Sequence, residues 1–323
     1  MSAADARLRT AMGLVLLACM PGVMTAFWFH GWGLLFNLLL CAASALCCET
    51  ALLAWRGQPV RAGLNDASAL VSSVLLALAL PTLAPWWLPV TATGIAITLG
   101  KHAFGGVGRN LFNPAMLGYA AVLLSFPLQM NHWPGQPPGL LESLQWVFTD
   151  AGQIDAWAQP TVLDSLRHNR SLTLDELFAS HPGFGSVGGR ASEWINLAFL
   201  LGGLFLLQRK VYGWQAPVGL LAGLLLCSLL AWNGSGSDSH GSPLLHLFSG
   251  STMLAAFFIA TEPVSGPRTD QGRLLFGLIA GALIYLVRTW GSYPDGTAFV
   301  ILLLNLAVPA LDRLALRRVQ GTP

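Results

Sequence analysis

Long apolar runs alternate with short polar connections along most of this chain. A helix that crosses the hydrocarbon core of a bilayer needs ~20 mostly apolar residues. Ten runs reach or approach that length, at residues 12–29, 32–54, 64–80, 86–104, 113–130, 192–208, 214–232, 244–260, 274–290 and 296–312. The pattern therefore predicts an all-α integral membrane protein with about ten transmembrane helices.

One connection, between the fifth and sixth runs, is much longer than the others. Residues 131–191 combine proline and glycine clusters with short apolar stretches such as LLESLQWVF (140–148) and LTLDELF (172–178). The spacing of the apolar residues in these stretches fits short amphipathic helices at a membrane surface. We therefore divide the chain into a first membrane region, 1–130, a loop, 131–191, and a second membrane region, 192–323, which ends in a C-terminal tail.

The two membrane regions each contain five predicted helices, so if they are repeats, the repeats must be inverted relative to each other. The stretches SALVSSVLLALALP (68–81) and SGSTMLAAFFIATEP (249–263) both begin with small hydroxylated residues, continue as apolar runs and reach a proline. Short or interrupted helices at matching positions indicate a binding site near the membrane midplane. Membrane helices use few residue types, so a chance likeness stays open as the alternative.

Composition and charge exclude a soluble protein and predict an orientation. The chain is 54% hydrophobic and 10% charged, whereas soluble domains carry about 25% charged residues. With the N-terminus placed in the cytoplasm, 13 of the 17 Lys and Arg residues fall on the cytoplasmic side and 4 fall outside. Because Lys and Arg concentrate in cytoplasmic loops, both termini are predicted to be cytoplasmic and the 131–191 loop extracytoplasmic.

The membrane regions contain few residues with obvious chemistry. In GGVGRNLFNPAMLGY (105–119), Asn113 and Pro114 fit the cap and first position of a helix, whose free N–H groups could also bind an anion. His30 and His246 lie near predicted helix ends and are interpreted as hydrogen-bonded interface residues. We expect no metal site and no catalytic residue in this chain, and the charged residues are predicted to lie near helix ends.

The stretch DAWAQPTVLDSL (155–166) is the most distinctive part of the loop. Pro160 lacks an N–H and favours an extended Gln159, so the chain before Thr161 should not be helical. A helix cap would by itself explain a threonine in front of this helix-like sequence. The loop chemistry alone therefore leaves the role of Thr161 open.

Three long stretches carry a resemblance to a known family. KHAFGGVGRNLFNPAMLGYAAVLLSFPLQM (101–130), WINLAFLLGGLFLLQRKVYGWQAPVG (194–219) and STMLAAFFIATEPVSGP (251–267) resemble the D subunit of Rnf, the ion-translocating ferredoxin/NAD oxidoreductase. The B subunit of the sodium-pumping NADH:quinone reductase is a more distant relative. The resemblance covers most of residues 60–310 and implies two inverted five-helix repeats, similar to the urea-transporter fold.

The same resemblance implies flavin cofactors. Members of this family carry FMN, bound covalently through a phosphoester to a loop threonine, and often a second, non-covalent riboflavin. Their attachment motif reads Ser or Thr, Gly, Ala and Thr, commonly followed by Pro and Leu. Here Thr161 matches the threonine, whereas Ala158, Gln159 and Pro160 differ from the family's residues. Asp155 and Asp164 are the acidic neighbours of the motif.

The implied function is that of a flavin-carrying subunit in a translocase of the bacterial inner membrane. Electrons would pass through the FMN on Thr161, and transfer between ferredoxin and NAD(H) would be coupled to ion movement. The expected partners are other Rnf subunits, including a second covalent flavoprotein and iron–sulfur membrane subunits, a flavin transferase, and membrane lipid; no nucleic acid is expected. One alternative is a channel or transporter of urea-transporter type, because NPA at 113–115 resembles a motif of water channels and the implied fold class hosts a urea pathway. The other is a flavin-free scaffold.

Overall fold

The computed structural model describes residues 3–131, 133–149, 159–293 and 295–319. Every regular element in this part of the chain is a helix. In the first half these are α1 (Ala3–His30), α2 (Trp32–Trp55), α3 (Val60–Leu64), α4 (Ser68–Ala79), α5 (Trp87–Ile95), α6 (Pro114–Ser125), α7 (Pro127–Met130) and α8 (Leu140–Thr149). In the second half they are α9 (Val162–His168), α10 (Leu174–Ser180), α11 (Arg190–Gln208), α12 (Gln215–Leu230), α13 (Pro243–Phe248), α14 (Thr252–Leu254), α15 (Asp270–Trp290) and α16 (Thr297–Val319).

The long apolar helices identify a multi-pass membrane protein. Five helices among the described residues are long and apolar enough to cross a membrane, namely Ala6–His30, Trp32–Trp55, Arg190–Gln208, Asp270–Trp290 and Thr297–Ala315. Shorter apolar helices lie at Ser68–Ala79, Pro114–Ser125 and Gln215–Leu230. Large apolar side chains such as Trp28 and Leu230 are 80% and 84% exposed, as expected of surfaces that contact lipid rather than water. The predicted helical membrane protein is confirmed at this level.

Two of the predicted spans are short or broken, at the positions that the repeat hypothesis singles out. α4 has only 12 residues. The predicted span 244–260 is interrupted, since α13 ends at Phe248 and α14 begins at Thr252. α5 and α14 both continue as π-helical turns, over Ala96–His102 and Ala255–Ile259 respectively. π-Helical turns inside α-helices are rare and frequently occur at functional sites.

The start of α6 shows how a local sequence signal sets a helix boundary. Asn113 has an extended backbone, and its side chain accepts a hydrogen bond from the Met116 N–H at 3.2 Å. Pro114 occupies the first helical position, where its missing N–H costs nothing. The predicted start of this helix is therefore confirmed.

Glycines allow the backbones of α12 and α15 to touch. A Cβ atom added at Gly281 would lie 2.0 Å from the Leu220 carbonyl oxygen, and one at Gly223 would lie 2.1 Å from the Leu278 carbonyl oxygen. Real Cβ atoms cannot approach backbone so closely, so glycine is required for this packing. Small residues serve the same purpose wherever membrane helices pack closely.

We expect Gly281→Ala to destabilise the protein by about 1–3 kcal/mol or more, because the added methyl group forces α12 and α15 apart. Gly94→Ala is the matched control, since Gly94 is also helical and has nothing within 4 Å of its added Cβ. The control should be neutral or slightly stabilising, because alanine is the better helix former. Thermal unfolding of both purified variants in detergent checks the prediction, and equal stability of the two would contradict it.

The chain forms two compact units, Met1–Gln159 and Pro160–Pro323. The division falls inside the long loop, directly before Pro160 and Thr161. α8 belongs to the first unit, and α9 and α10 belong to the second. These three short helices include the apolar stretches that the sequence predicts to be helical within the loop.

Candidate functional site

Thr161 lies at the N-terminus of α9 as its cap residue. Its backbone is extended, with φ −66° and ψ 160°, and its Oγ1 accepts a hydrogen bond from the Asp164 N–H at 3.2 Å. The residue is half-buried, whereas Gln159 and Pro160 are exposed and non-helical. The capping role left open by the sequence is thus real. The capping hydrogen bond uses one lone pair of the hydroxyl oxygen. Thr161 can still be approached along the exposed segment that precedes it.

Of the two acidic neighbours of Thr161, only Asp164 lies among the described residues. Asp155 lies outside the described residues. Asp164 is in the first turn of α9, where its Oδ1 is 3.2 Å from Arg167 Nη2 and 3.2 Å from His168 Nδ1. Asp164 therefore contacts basic side chains of its own helix, and its backbone N–H donates to Thr161 Oγ1.

Apolar packing fixes the position of α9. Leu163 and Leu166 belong to a buried cluster that also contains Leu174, Leu177, Phe184 and Leu245. Arg167 adds a polar contact, since its Nη1 donates to the Gly291 carbonyl oxygen at 3.2 Å. The helix that begins at Thr161 is thus held against α10, α13 and the end of α15 within one compact unit.

A cavity of about 690 Å³ lies beside α9 in the same unit. It lies within the ~300–1,000 Å³ range of small-molecule sites. Its wall comes from His246 of α13 and from three segments: the part of α9 from Leu163 onward with the residues after it, residues 237–240, and residues 288–292. Arg167, Arg170 and Arg288 contribute positive charge to this wall, and Asp238 is its one carboxylate among the described residues. Such a wall favours an anionic or strongly polar ligand.

Three buried polar atoms of residues in this wall have no hydrogen-bond partner among the described residues: His246 Nδ1, Arg288 Nε and Thr289 Oγ1. His246 Nε2 lies 2.8 Å from the His240 carbonyl oxygen, so Nε2 carries the proton and Nδ1 is an acceptor. Arg288 Nε is a donor. Burying an unpaired donor or acceptor costs about 1–3 kcal/mol. These atoms are themselves inaccessible, so they belong to the buried parts of residues whose other atoms line the cavity.

Arg288 also holds the interrupted segment between α13 and α14. Its side chain is fully buried; Nη1 donates to the His246 carbonyl oxygen at 2.8 Å and to Thr252 Oγ1 at 3.0 Å. Nη2 lies 3.4 Å from Asp295 Oδ2, which also accepts from the N–H and hydroxyl of Ser251. This one side chain therefore connects α15 to both sides of the break.

Asp295 is ionised by this environment. Burial raises the pKa of its carboxyl group, but the charge of Arg288 and the hydrogen bonds from Ser251 and Thr297 outweigh burial and lower the pKa below its usual range. A lowered folded-state pKa means that the stabilising contribution is present at neutral pH. It is lost only as the pH falls through that pKa in acid.

Sequence reasoning placed the charged groups at helix ends but missed their burial. Glu49 and Lys101 are 1% and 3% exposed and are paired with each other at 2.8 Å. Arg288 is 2% exposed. The signal was present, because Glu49 and Lys101 have opposite charges and lie near the ends of the second and fourth predicted spans, on the same side of the membrane. Residues in that arrangement should pair rather than remain in water.

The chain is similar to known proteins along nearly its whole length. The model of the NQR2, RnfD, RnfE family matches residues 2–321. The chain belongs to this family. Its relatives include the D subunit of the ion-translocating oxidoreductase complex of Pseudomonas paraeruginosa, 58% identical over 312 residues, which cover 96% of this chain and 91% of the relative.

More distant relatives bear the same name. The corresponding protein of Citrobacter koseri is 45% identical over 329 residues, with 96% of this chain and 94% of the relative covered. That of Cellvibrio japonicus is 44% identical, with 96% and 90% covered. The resemblance in the quoted stretches is therefore confirmed as membership of the NQR2, RnfD, RnfE family over nearly the whole chain.

Proposed function

We propose that this chain is the flavin-carrying membrane subunit of a complex that couples electron transfer between ferredoxin and NAD(H) to ion translocation. FMN is attached through a phosphoester to Thr161. The observation that carries the proposal is the position of Thr161: it ends an exposed, extended segment and begins the helix that forms one wall of a cationic cavity.

The local geometry of Thr161 suits enzymatic modification. A transferase has to reach the hydroxyl group from outside a helix. Gln159 and Pro160 are exposed and lie outside any regular element, and the backbone of Thr161 itself is extended. The departure from the family's attachment motif lies in these exposed residues and in Ala158, which is outside the described part of the chain. The capping hydrogen bond from the Asp164 N–H is to an oxygen that a phosphoester retains, so modification does not require α9 to unfold.

The cavity beside α9 fits a flavin in size and chemistry. A bound flavin supplies one- and two-electron chemistry, while the protein positions it. Arg170 and Arg167 would offset the negative charge of a phosphoester. Trp290, whose ring centroid is 5.4 Å from that of His240, provides an aromatic surface. These residues would bind and orient the cofactor and exclude water from it.

Corresponding contacts in the two units support inverted repeats. In the first unit, Lys101 Nζ donates to Ser68 Oγ at the start of α4 at 2.9 Å. In the second, Arg288 Nη1 donates to Thr252 Oγ1 at the start of α14 at 3.0 Å. Both short helices thus begin with a hydroxyl group that accepts from a buried cation. We propose that the units are five-helix repeats of opposite orientation, similar to the urea-transporter fold.

The remaining parts of the proposal concern location and partners. The distribution of Lys and Arg supports an inner-membrane protein with cytoplasmic termini and a periplasmic loop that includes Thr161. We propose a second covalent flavoprotein and iron–sulfur membrane subunits as neighbours, a periplasmic flavin transferase for maturation, and a non-covalent riboflavin between the helices. Nicotinamide chemistry belongs to a partner subunit.

The test is the covalent flavin itself. The complex is purified from the native host, the chain is separated by denaturing electrophoresis, and the gel is inspected for flavin fluorescence under ultraviolet light. The peptide containing Thr161 is then analysed by mass spectrometry and should carry the added mass of FMN minus water. An unmodified, non-fluorescent chain overturns the proposal and favours the scaffold, and redox-independent solute flux through the isolated chain favours the channel.

A further inference from the structure

The first unit contains a buried cluster of ionisable side chains that the proposed flavin site does not use. Lys101 Nζ donates to Glu49 Oε1 at 2.8 Å, and His102 Nε2 lies 3.0 Å from Glu49 Oε2. These three side chains are at most 4% exposed. Glu49 lies in α2, and Lys101 and His102 end the π-helical turn that follows α5. Ionisable residues within membrane segments mark ion or proton paths by default.

The cluster is connected to the surface on two sides. Arg56, which is exposed, has its Nη1 3.5 Å from His102 Nδ1 and donates from Nη2 to the His102 carbonyl oxygen at 2.7 Å. On the other side, Lys101 Nζ donates to Ser68 Oγ, whose hydroxyl donates to Asp66 Oδ1 at 2.6 Å. Both connections reach the α2 end that is predicted to face the cytoplasm.

The hydrogen-bond pattern fixes where the protons are. Arginine can only donate, so the His102 Nδ1 that faces Arg56 is unprotonated. The imidazole proton is then on Nε2, which donates to Glu49 Oε2. Glu49 is ionised and paired with the Lys101 ammonium group, and His102 is neutral. Protonation of His102 Nδ1 gives up its contact with Arg56 Nη1, whereas the hydrogen bond from Arg56 Nη2 to the His102 carbonyl oxygen is unaffected.

We propose that Glu49, reached through His102, is a proton-exchange site that loads when the complex is reduced. A hydronium ion gives a proton to His102 Nδ1, the Nε2–H bond breaks, and that proton forms a bond to Glu49 Oε2, leaving water. His102 ends neutral with its proton on Nδ1, Glu49 ends as a carboxylic acid, and the cluster gains one positive charge. Arg56 disfavours a charged imidazole, so the proton passes on to Glu49.

The redox reaction of the proposed function supplies the driving force, and the inference rests on that function to this extent. An electron arriving elsewhere in the membrane interior attracts positive charge strongly, because the effective dielectric constant there is low. Reduction thus raises the affinity of the buried cluster for a proton, and reoxidation lowers it. Proton uptake therefore accompanies reduction, and proton release accompanies reoxidation.

The same contacts argue against a metal cation at this site. Hard cations need a shell of several oxygen ligands. Both oxygens of Glu49 already accept N–H donors, and the Lys101 ammonium group occupies the position that a cation would take. A cation could bind only by displacing Lys101 into an apolar wall that includes Ala45, Ala69 and Ile97.

The test uses the whole complex in sodium-free vesicles, reduced through its own electron donor. Three quantities are measured: covalent flavin per chain, electron-transfer rate, and proton uptake per electron. The double variant Glu49→Gln with Lys101→Met removes both charges together, so no unpaired charge stays buried. His102→Gln keeps an amide donor toward Glu49 but cannot relay a proton. The double variant Asp270→Asn with Arg273→Met removes an exposed pair and is the control.

We expect the Glu49/Lys101 variant to keep its flavin and to lose redox-driven proton uptake, with the control unchanged. We expect His102→Gln to slow uptake by about 100-fold, as removal of a positioned proton-transfer group does. Normal uptake per electron in the Glu49/Lys101 variant overturns the inference, as does proton uptake at the wild-type rate in His102→Gln or a wild-type complex that takes up no protons. Failure of both variants to assemble also counts against it, since the cluster would then be purely structural. Absence of flavin from the wild type contradicts the proposed function instead.

Discussion

Replacing Thr161 with Asn is expected to abolish covalent flavin on this chain while leaving α9 intact. Asn cannot form the phosphoester, because it lacks a hydroxyl group. It is, however, at least as good a helix cap as Thr, and its side-chain oxygen can accept the Asp164 N–H in the same way. The measurement is in-gel flavin fluorescence of the purified chain, normalised to protein stain. The expected result is complete loss of signal with no change in thermal stability beyond a few tenths of a kcal/mol.

Thr173 provides an unusually close control. It caps the neighbouring helix α10 with φ −66° and ψ 162°, against −66° and 160° for Thr161, and both helices have seven residues. Thr173→Asn should therefore retain full fluorescence. Fluorescence that survives in Thr161→Asn, or that disappears equally in both variants, would show that the flavin is attached elsewhere or that cap disruption explains the loss.

The helical membrane architecture could be predicted because apolar run length is a local property. The predicted spans 32–54 and 274–290 coincide within a few residues with α2 and α15. Asn113 and Pro114 fixed the start of α6 for an equally local reason, since a cap acts within one turn. The break between α13 and α14 could be anticipated only as a short or interrupted segment, because the contacts that stabilise it come from distant residues, namely Asn196 of α11, Arg288 of α15 and Asp295.

The charged clusters depend on such distant contacts and escaped prediction. Glu49 and Lys101 are 52 positions apart in the chain and meet at 2.8 Å. Arg288 reaches Thr252, 36 positions away, at 3.0 Å. Hydropathy places each of these residues near a helix end, where exposure is the usual outcome, and only the folded backbone shows that each is buried. The cavity beside α9 has the same origin, since its wall comes from several separate segments.

The second large effect is expected at Arg288. Arg288→Met keeps much of the side chain's length but removes the hydrogen bonds from Arg288 Nη1 to the His246 carbonyl oxygen and to Thr252 Oγ1, and it leaves Asp295 without its cation. Breaking a buried ion pair by removing one partner costs about 3–5 kcal/mol. Arg288 lies 3.4 Å from Asp295, and that carboxylate is 23% exposed. The loss of this ion pair should therefore cost a free energy at the low end of the range. The His246 carbonyl oxygen keeps its hydrogen bond from the Thr252 hydroxyl at 2.9 Å, so it adds little to the loss.

Arg273→Met is the control on the same helix, because it also removes an arginine from an ion pair but at an exposed position. Arg273 and Asp270 form a pair at 3.2 Å in the first turn of α15, with 37% and 69% of their side chains exposed. Exposed pairs contribute about 0–1 kcal/mol, so this variant should unfold close to the wild-type temperature. Arg288→Met should unfold far below it, or fail to accumulate, in thermal scans of the purified subunit. Arg288→Lys keeps the charge but should recover stability only in part. The guanidinium group of Arg288 has three partners, and one ammonium group cannot hold all three at the positions that the guanidinium group reaches. Equal unfolding temperatures for the Arg273 and Arg288 variants would mean that the break between α13 and α14 is stabilised by other contacts.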